Sequence, residues 1–216
     1  MKILAITGPF GSGKTTVTHF VAGALRSSGA NVAIIALDKV SRDILDADLQ
    51  LRKKLAKAFG GDILLEDTSL NRKALAEVAF LDDYATAKLN ALVHPPTMER
   101  ACELLQDAHA EKDVAVIESP FPLSYLSEIF TGLNNDADAG DDVEIWMVCA
   151  DKETRLLRGV ADGYSSEDAL QRMDRQPRVS AYQLEANYTI ENDGDLDDLR
   201  QELQKCLQKS NLLKIQ

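Results

Sequence analysis

The sequence predicts an α/β fold of three layers, in which a parallel β-sheet lies between two layers of helices. Residues 2–7 (KILAIT) form a short apolar run, and a glycine-rich loop at 8–13 and helix-spaced apolar residues over 14–26 follow it. Residues 31–37 (NVAIIAL) are almost continuously apolar, as expected of a strand that is covered on both faces of a parallel sheet. Together these segments predict a βαβ unit with a right-handed crossover.

Further strand patterns follow at wide intervals along the chain. Residues 114–118 (VAVIE), 143–149 (VEIWMVC) and 188–191 (YTIE) have the composition of strands. A helix over 152–158 and a closing helix over 196–207 have apolar residues at helical spacing. This alternation of strands and helices is typical of a parallel sheet with helices on its faces.

A different pattern occupies the middle of the chain. From about residue 39 to residue 110, apolar residues recur at intervals of three and four, and strand-like runs are almost absent. We predict a helical lobe inserted into the α/β core. The length of 216 residues suits one domain, residues 1–216, that contains this insertion.

Charge and composition exclude several classes of partner. The 24 Lys and Arg residues against 35 Asp and Glu residues give a net charge of −11, which disfavours nucleic acid and anionic membranes. From the residues at its start we expect no signal peptide, and we expect no membrane span because no apolar run is long enough. The widely spaced Cys102, Cys149 and Cys206 predict reduced thiols in a cytoplasmic protein. The acidic segment 134–142 predicts a solvated loop, and the absence of heptads favours a monomer.

Residues 8–15 (GPFGSGKT) match the phosphate-binding pattern G-x-x-x-x-G-K-[ST], which is found in P-loop NTPases. The glycines allow backbone N–H groups to turn inward around a phosphate at the start of a helix. Lys14 adds a positive charge for the β- and γ-phosphates, and the Thr15 hydroxyl is placed to bind Mg²⁺. The predicted ATP-binding residues of the loop are Gly8, Pro9, Phe10, Gly11, Ser12, Gly13, Lys14, Thr15 and Thr16.

Two carboxylates follow or end predicted strands. Asp38 comes directly after residues 31–37, where ligands of open α/β sheets bind. It could deprotonate an acceptor hydroxyl or hold Mg²⁺, and the alternative is an N-cap for a helix that begins at Lys39. Glu118 ends the run 114–118 and could coordinate Mg²⁺ through water, and the alternative is a solvated strand end.

These residues, taken with further motifs, resemble the dephospho-coenzyme A kinase family over residues 8–194. The phosphate loop alone is common to hundreds of enzymes. The motifs that carry the resemblance are GPFGSGKTT at 8–16, Asp38 with Arg42 four residues later, LNRKAL at 70–75, LNALVHP at 89–95 and NDG at 192–194.

The resemblance implies ATP-dependent phosphorylation of the ribose 3′-hydroxyl of dephospho-CoA, with Mg²⁺ as cofactor. By the same resemblance, Asp38 would be the catalytic base, Lys14 and Arg158 would assist catalysis, and Asn192 would lie near adenine. A lid would cover about residues 155–180. The acceptor-binding residues, in the helical lobe, would be Arg42, Asn71, Arg72 and His94.

The chain also departs from the family pattern. Ala161 stands where the family has a second lid arginine, and Ser124 stands where the family has a carboxylate. These departures leave two alternatives open, a related nucleoside or nucleotide kinase and a catalytically weak protein that binds ATP or CoA. The arginines that could replace the missing one are Arg155, Arg158, Arg172, Arg175 and Arg178.

Overall fold

The computed structural model of the chain describes residues 1–122, 142–184, 186–210 and 212. Positions 134–141 of the predicted acidic loop, and the departure at Ser124, lie outside these residues. Among the described helices, none combines the length and the apolarity that crossing a membrane requires.

The helices and strands follow the alternation that the sequence predicts. In chain order they are β1 (Lys2–Thr7), α1 (Lys14–Ser27), β2 (Val32–Ala36), α2 (Leu37–Ala47), α3 (Leu49–Phe59), a 3₁₀ turn (Gly61–Ile63), α4 (Arg72–Ala79), α5 (Asp83–His109), β3 (Val114–Ser119), β4 (Asp142–Cys149), α6 (Lys152–Ala161), α7 (Ser166–Arg175), α8 (Val179–Gln183), β5 (Tyr188–Glu191) and α9 (Leu196–Lys209).

The five strands form one sheet in the order β2-β3-β1-β4-β5, and every pair is parallel. The predicted α/β fold is therefore confirmed. Strand β1 is central, and its last residues pair with those of β3, with Ile6 opposite Glu118 and Thr7 opposite Ser119. This register brings Glu118 to the edge of the sheet from which the phosphate loop leaves β1.

Both faces of β1 are buried, which explains its uninterrupted apolar run. Leu4 and Ile6 belong to a core that includes residues of α1 and α9. Ile3 and Ala5, which point to the opposite face because side chains alternate along a strand, are also fully buried. Each fully buried Leu or Ile contributes about 1.5–3 kcal/mol, so the apolar strands are a large part of what holds the sheet together.

The chain folds into two compact units. The first, residues 1–36 and 104–216, contains the sheet, and the second, residues 37–103, is helical apart from one isolated antiparallel bridge between Leu64 and Leu70. The helical unit has its own core, formed by Leu45, Leu51, Leu55, Ile63, Leu75, Ala79 and Val93.

Strand β2 passes directly into helix α2 without a capping residue between them. The helix begins at Leu37, which is only 3% exposed, and Asp38 is its second residue. The alternative of Asp38 as N-cap is therefore wrong, because burial of Leu37 starts the helix before Asp38. The exposed Asp38 side chain remains two residues beyond the end of the strand.

Candidate active site

The phosphate loop runs between β1 and α1, and two of its glycines are required by close contacts. Gly8 has φ +148°, and a Cβ there would lie 2.1 Å from the carbonyl oxygen of Val148 at the end of β4. Gly13 has φ +92°, and a Cβ there would lie 2.2 Å from Nδ2 of Asn192. Only glycine fits these two positions, so the loop packs closely against the residues that end β4 and follow β5.

The structure brings together three of the predicted site residues. The buried Lys14 donates from Nζ to the Pro9 carbonyl oxygen at 3.0 Å, across the loop. The Thr15 hydroxyl donates to Oε1 of Glu118 at 2.6 Å. Thr16, the last predicted residue of the loop motif, is exposed in the first turn of α1. The predicted cation Lys14 and the predicted metal ligand Thr15 are therefore adjacent at the start of α1, and the second predicted ligand, Glu118 near the end of β3, is hydrogen-bonded to Thr15.

The Thr15 and Glu118 pair suits Mg²⁺, because hydroxyl and carboxylate oxygens are the ligands that this hard cation prefers. Within the described ranges, no group of three or more His, Cys, Asp or Glu side chains could hold a metal ion. Mg²⁺ commonly takes only one or two protein ligands and completes its shell with phosphate oxygens and water. Oγ of Ser12 is buried and has no hydrogen-bond partner in the part of the chain that is described. These observations fit a loop that binds a Mg²⁺-nucleotide.

Asn192 and Arg158 hold the outer side of the loop. Asn192, which is 5% exposed, donates from Nδ2 to the Ser12 carbonyl oxygen at 2.8 Å. Arg158 donates from Nη2 to the Asn192 carbonyl oxygen at 2.8 Å, and from Nη1 to the carbonyl oxygens of Ser12 and Gly11 at 3.4 and 3.5 Å. In a trans peptide the C=O and N–H point in opposite directions, so fixing the Ser12 carbonyl turns the N–H of Gly13 toward the inside of the loop.

Phe10 attaches the loop to helices α6 and α7. Its backbone N–H donates to Oε1 of Gln176 at 2.6 Å, and its ring meets Tyr164 edge-on at 5.3 Å between centroids. A Cβ at the buried Gly159 would lie 2.7 Å from Cε1 of Phe10. The guanidinium carbon of Arg172 lies 4.6 Å from the Tyr164 ring centroid. Gln176 is not among the residues predicted from the sequence, because its contact with Phe10 spans 166 positions and leaves no local signal.

The arginines that could replace the one missing at Ala161 have different surroundings. Ala161 itself is exposed at the end of α6. The backbone of Arg155 packs against the loop, since its carbonyl oxygen would lie 2.5 Å from a Cβ at Gly11. Nε of Arg155 is buried and has no hydrogen-bond partner among the described residues, and burial lowers the pKa of this guanidinium. Arg175 is half-buried and Arg178 is exposed.

Three of the predicted acceptor-binding residues lie on α2 and at the start of α4, within the helical unit. Asn71 is the N-cap of α4, and its side chain accepts from the Ala74 N–H at 3.1 Å. Arg72 pairs with Asp46 at 2.7 Å and donates to the Arg42 carbonyl oxygen at 3.4 Å. The exposed Arg42 side chain puts positive charge on this surface, whereas the charge of Arg72 is balanced by Asp46.

His94 lies in α5 immediately before two prolines that the helix contains. Pro95 and Pro96 have no backbone N–H to donate, and next to them the Thr97 hydroxyl donates to the Val93 carbonyl oxygen at 2.7 Å. Burial lowers the pKa of His94 below its usual range. At neutral pH the imidazole is therefore mainly uncharged and can serve as a hydrogen-bonding group.

A glycine-rich loop between a central parallel strand and a helix, with a buried lysine and a hydroxyl–carboxylate pair beside it, defines a P-loop NTPase. The family model for dephospho-CoA kinase matches residues 2–198. The chain belongs to this family, so the predicted family and the predicted kinase activity are confirmed.

Individual relatives agree with this assignment. The chain is 32% identical over 209 residues to a dephospho-CoA kinase of Corynebacterium glutamicum, and the match covers 96% of both chains. The crystal structure of TT1252 from Thermus thermophilus superposes with a TM-score of 0.66 and 26% identity, covering 96% of this chain and 97% of that one. A dephospho-CoA kinase from Campylobacter jejuni shares the fold, with a TM-score of 0.58, 24% identity and 96% of each chain covered.

Proposed function

We propose that the protein transfers the γ-phosphoryl group of ATP to the ribose 3′-hydroxyl of dephospho-CoA, which yields coenzyme A and ADP. The observation that best supports this reaction is the hydrogen bond of 2.6 Å from Thr15 to Glu118. Thr15 directly follows the buried Lys14, so the metal-binding pair and the phosphate-binding cation lie side by side. Family membership over residues 2–198 supplies the acceptor.

ATP binds with its phosphates on the loop of residues 8–16. The inward N–H of Gly13 and the Lys14 ammonium group stabilise the negative charge of the β- and γ-phosphates. Thr15 and Glu118 would hold Mg²⁺, which neutralises phosphate charge when it is bound. Asn192 lies against the loop and, by family resemblance, near the adenine.

Asp38 acts as the general base in this proposal. Its carboxylate accepts the proton of the 3′-hydroxyl as that oxygen bonds to the γ-phosphorus and the bond from the γ-phosphorus to the β–γ bridging oxygen breaks. The electron pair of the broken bond leaves on ADP. The exposed position of Asp38 two residues after β2 supports this role.

The helical lobe, about residues 39–110, binds dephospho-CoA. Arg42 attracts the anionic acceptor, because it is an exposed cation. Arg72 joins it when a phosphate of the acceptor replaces Asp46 as the partner of its guanidinium group. Asn71 fixes the start of α4 and so the position of Arg72, and the neutral His94 offers a hydrogen bond.

The segment of about residues 155–180 serves as a lid over the nucleotide. Arg158 was predicted to assist catalysis directly, and its bonds to the carbonyls of Gly11 and Ser12 favour a role in positioning the loop instead. Arg155, with its buried unpartnered Nε, is the arginine that we assign to charge stabilisation during transfer.

The surroundings of the enzyme follow from its charge and composition. We propose a cytoplasmic monomer that binds neither nucleic acid nor membranes, in line with the net charge of −11 and the wide spacing of the three cysteines along the chain. Its partners are then the two small-molecule substrates.

An assay of acceptor-dependent ADP release by the purified chain tests the proposed reaction. We expect release with dephospho-CoA and Mg·ATP, and none with uridine or a nucleoside monophosphate in place of dephospho-CoA. Activity on a nucleoside alone would contradict the proposal. Tight binding of both substrates without turnover would instead identify a binding protein, which is the alternative that Ala161 leaves open.

A further inference from the structure

We propose that Gln176 is a positioning residue for ATP binding, which fixes the first half of the phosphate loop by holding the backbone N–H of Phe10. The inference rests on the proposed binding of ATP to this loop. It assigns a role to a residue that neither the loop motif nor the family motifs quoted above include.

Phe10 joins the phosphate loop at two points to the segment formed by α6, the turn after it and α7. The Gln176 side chain follows the last residue of α7 and accepts from Phe10 N–H at 2.6 Å. The Phe10 ring packs against Gly159 of α6, where an added Cβ would lie 2.7 Å from Cε1 of Phe10. The same ring meets Tyr164 edge-on, with 5.3 Å between the ring centroids. Both the backbone and the side chain of one loop residue are therefore held by α6, α7 and the turn between them.

The two halves of the loop are fixed by different donors and acceptors. Asn192 and Arg158 fix the peptide between Ser12 and Gly13 by donating to its carbonyl. Gln176 holds the peptide between Pro9 and Phe10 by its N–H and not by its carbonyl, because the Gln176 side chain accepts a hydrogen bond from the Phe10 N–H. The Pro9 carbonyl of that same peptide accepts from Nζ of Lys14 at 3.0 Å.

This shared peptide gives Gln176 its influence on phosphate binding. A rotation of the Pro9–Phe10 peptide would move the carbonyl that orients the Lys14 ammonium group. The Ser12 N–H also donates to the Pro9 carbonyl, at 3.3 Å. Removing the Gln176 acceptor leaves only the bonds to that carbonyl to hold the peptide, so the loop samples more orientations in which Lys14 is not directed by Pro9. Binding of a nucleotide phosphate must select the correct orientation again, which lowers the apparent affinity.

The test compares three variants by titration calorimetry with Mg·ADP and by initial rates with Mg·ATP and dephospho-CoA. Gln176→Met keeps the length of the side chain and removes the amide oxygen. Gln176→Glu keeps an acceptor oxygen at the same reach. Gln171→Met is the matched control, because Gln171 is exposed on α7, the helix that Gln176 follows.

We expect Gln176→Met to weaken Mg·ADP binding by about three- to tenfold, the range for one lost hydrogen bond, with a parallel rise in KM for ATP. The KM for dephospho-CoA should stay near the wild-type value. Gln176→Glu should lie closer to wild type than Gln176→Met, and Gln171→Met should equal wild type.

Two outcomes would overturn the proposal while leaving the kinase activity established. One is wild-type affinity for Mg·ADP in Gln176→Met, and the other is an equal loss in Gln171→Met. In the first outcome, a lower kcat beside the unchanged affinity would indicate a merely structural role, which predicts less folded enzyme and not weaker binding. Absence of wild-type turnover with dephospho-CoA would contradict the proposed reaction instead, and the calorimetry would still test Gln176.

Discussion

The two compact units of the chain hold their predicted functional residues in different ways. In the α/β unit, Lys14, Thr15 and Asn192 are bonded to other parts of the same site, at 3.0, 2.6 and 2.8 Å. In the helical unit, Asp38 and Arg42 have exposed side chains at the surface of α2. The residues at the phosphate loop are held by hydrogen bonds within the fold, whereas Asp38 and Arg42 are exposed on the surface of a helix.

This difference predicts how the two units contribute to the reaction. Groups fixed by hydrogen bonds within the fold need little reorganisation when a phosphate binds, so their loss should weaken nucleotide binding. Exposed side chains such as Asp38 can be changed with little effect on the fold, so their loss should act on the acceptor or on the chemical step. The predictions that follow test this division.

Asp38→Asn should have the largest effect on kcat. The amide cannot accept the proton of the 3′-hydroxyl, and a general base contributes about 10²- to 10⁴-fold to a rate. We expect kcat to fall within that range while the affinity for Mg·ADP, measured by calorimetry, stays unchanged. The control is Asp43→Asn on the same helix, where Asp43 pairs with Lys39 at the surface. Full turnover in Asp38→Asn would remove Asp38 as the base.

Lys14→Met should lower kcat/KM for ATP by at least about 100-fold, because a cation directed at the transferring phosphoryl group is lost. Unlike Asp38→Asn, this variant should also bind Mg·ADP more weakly. Lys209→Met, at the exposed end of α9, is the control for the loss of one positive charge. Equal nucleotide affinity in Lys14→Met and wild type would contradict the proposal that the fixed groups of the α/β unit contribute to nucleotide binding.

Asn192→Ala should weaken nucleotide binding by about tenfold, since the Ser12 carbonyl loses a buried hydrogen bond. The ligand distinguishes the two roles of Asn192. If it positions the loop, binding of Mg·pyrophosphate should weaken together with that of Mg·ADP. Weakening for Mg·ADP alone would indicate an adenine contact only. Asn31→Ala, with an exposed side chain before β2, should leave both affinities unchanged.

The smallest expected effect is a pH dependence of stability that originates in the helical unit. Burial lowers the pKa of His94 in the folded state, so the unfolded chain binds a proton more readily. The contribution of the neutral imidazole is complete above the ordinary pKa of about 6.5 and is lost as the pH falls through the folded-state pKa.

Urea denaturation at about pH 7.5 and at about pH 5.5 measures this dependence, since the lower value lies below the ordinary histidine pKa. We expect His94→Gln to lose less stability on acidification than wild type. His19→Gln, an exposed histidine on α1, should behave as wild type. Equal pH dependence in His94→Gln and wild type would show that this imidazole does not titrate as its burial requires.

The sequence predicts most of the fold because its strands carry local signals. Strand β5 has the predicted bounds, Tyr188–Glu191, and the continuous apolar runs of β1 and β3 follow from burial on both faces of the sheet. The start of α2 was not predicted correctly, because burial of Leu37 depends on tertiary packing that a local pattern does not contain. The lid boundaries and the residue roles stay predictions.

The candidate site shows the same limit. The motif predicts Lys14 and Thr15 because the chemistry of phosphate binding is local to the loop. The contact of Gln176 with Phe10 has no local signal, since 166 positions separate the two residues. The bonds from Arg158 to the loop carbonyls are equally long-range, at 146 and 147 positions. Resemblance marks Arg158 as a lid residue, and only the folded chain gives its partners.

The close packing of Gly8 against the Val148 carbonyl affects how inactive variants should be interpreted. A methyl group at Gly8 would meet the end of β4 at 2.1 Å, so the two parallel strands could not keep their spacing. A Gly8 variant found in a screen for lost enzyme activity should therefore be scarce in the soluble fraction, whereas an inactive Lys14 variant should be abundant. Protein yield thus separates defects of assembly from defects of chemistry within the same eight-residue motif.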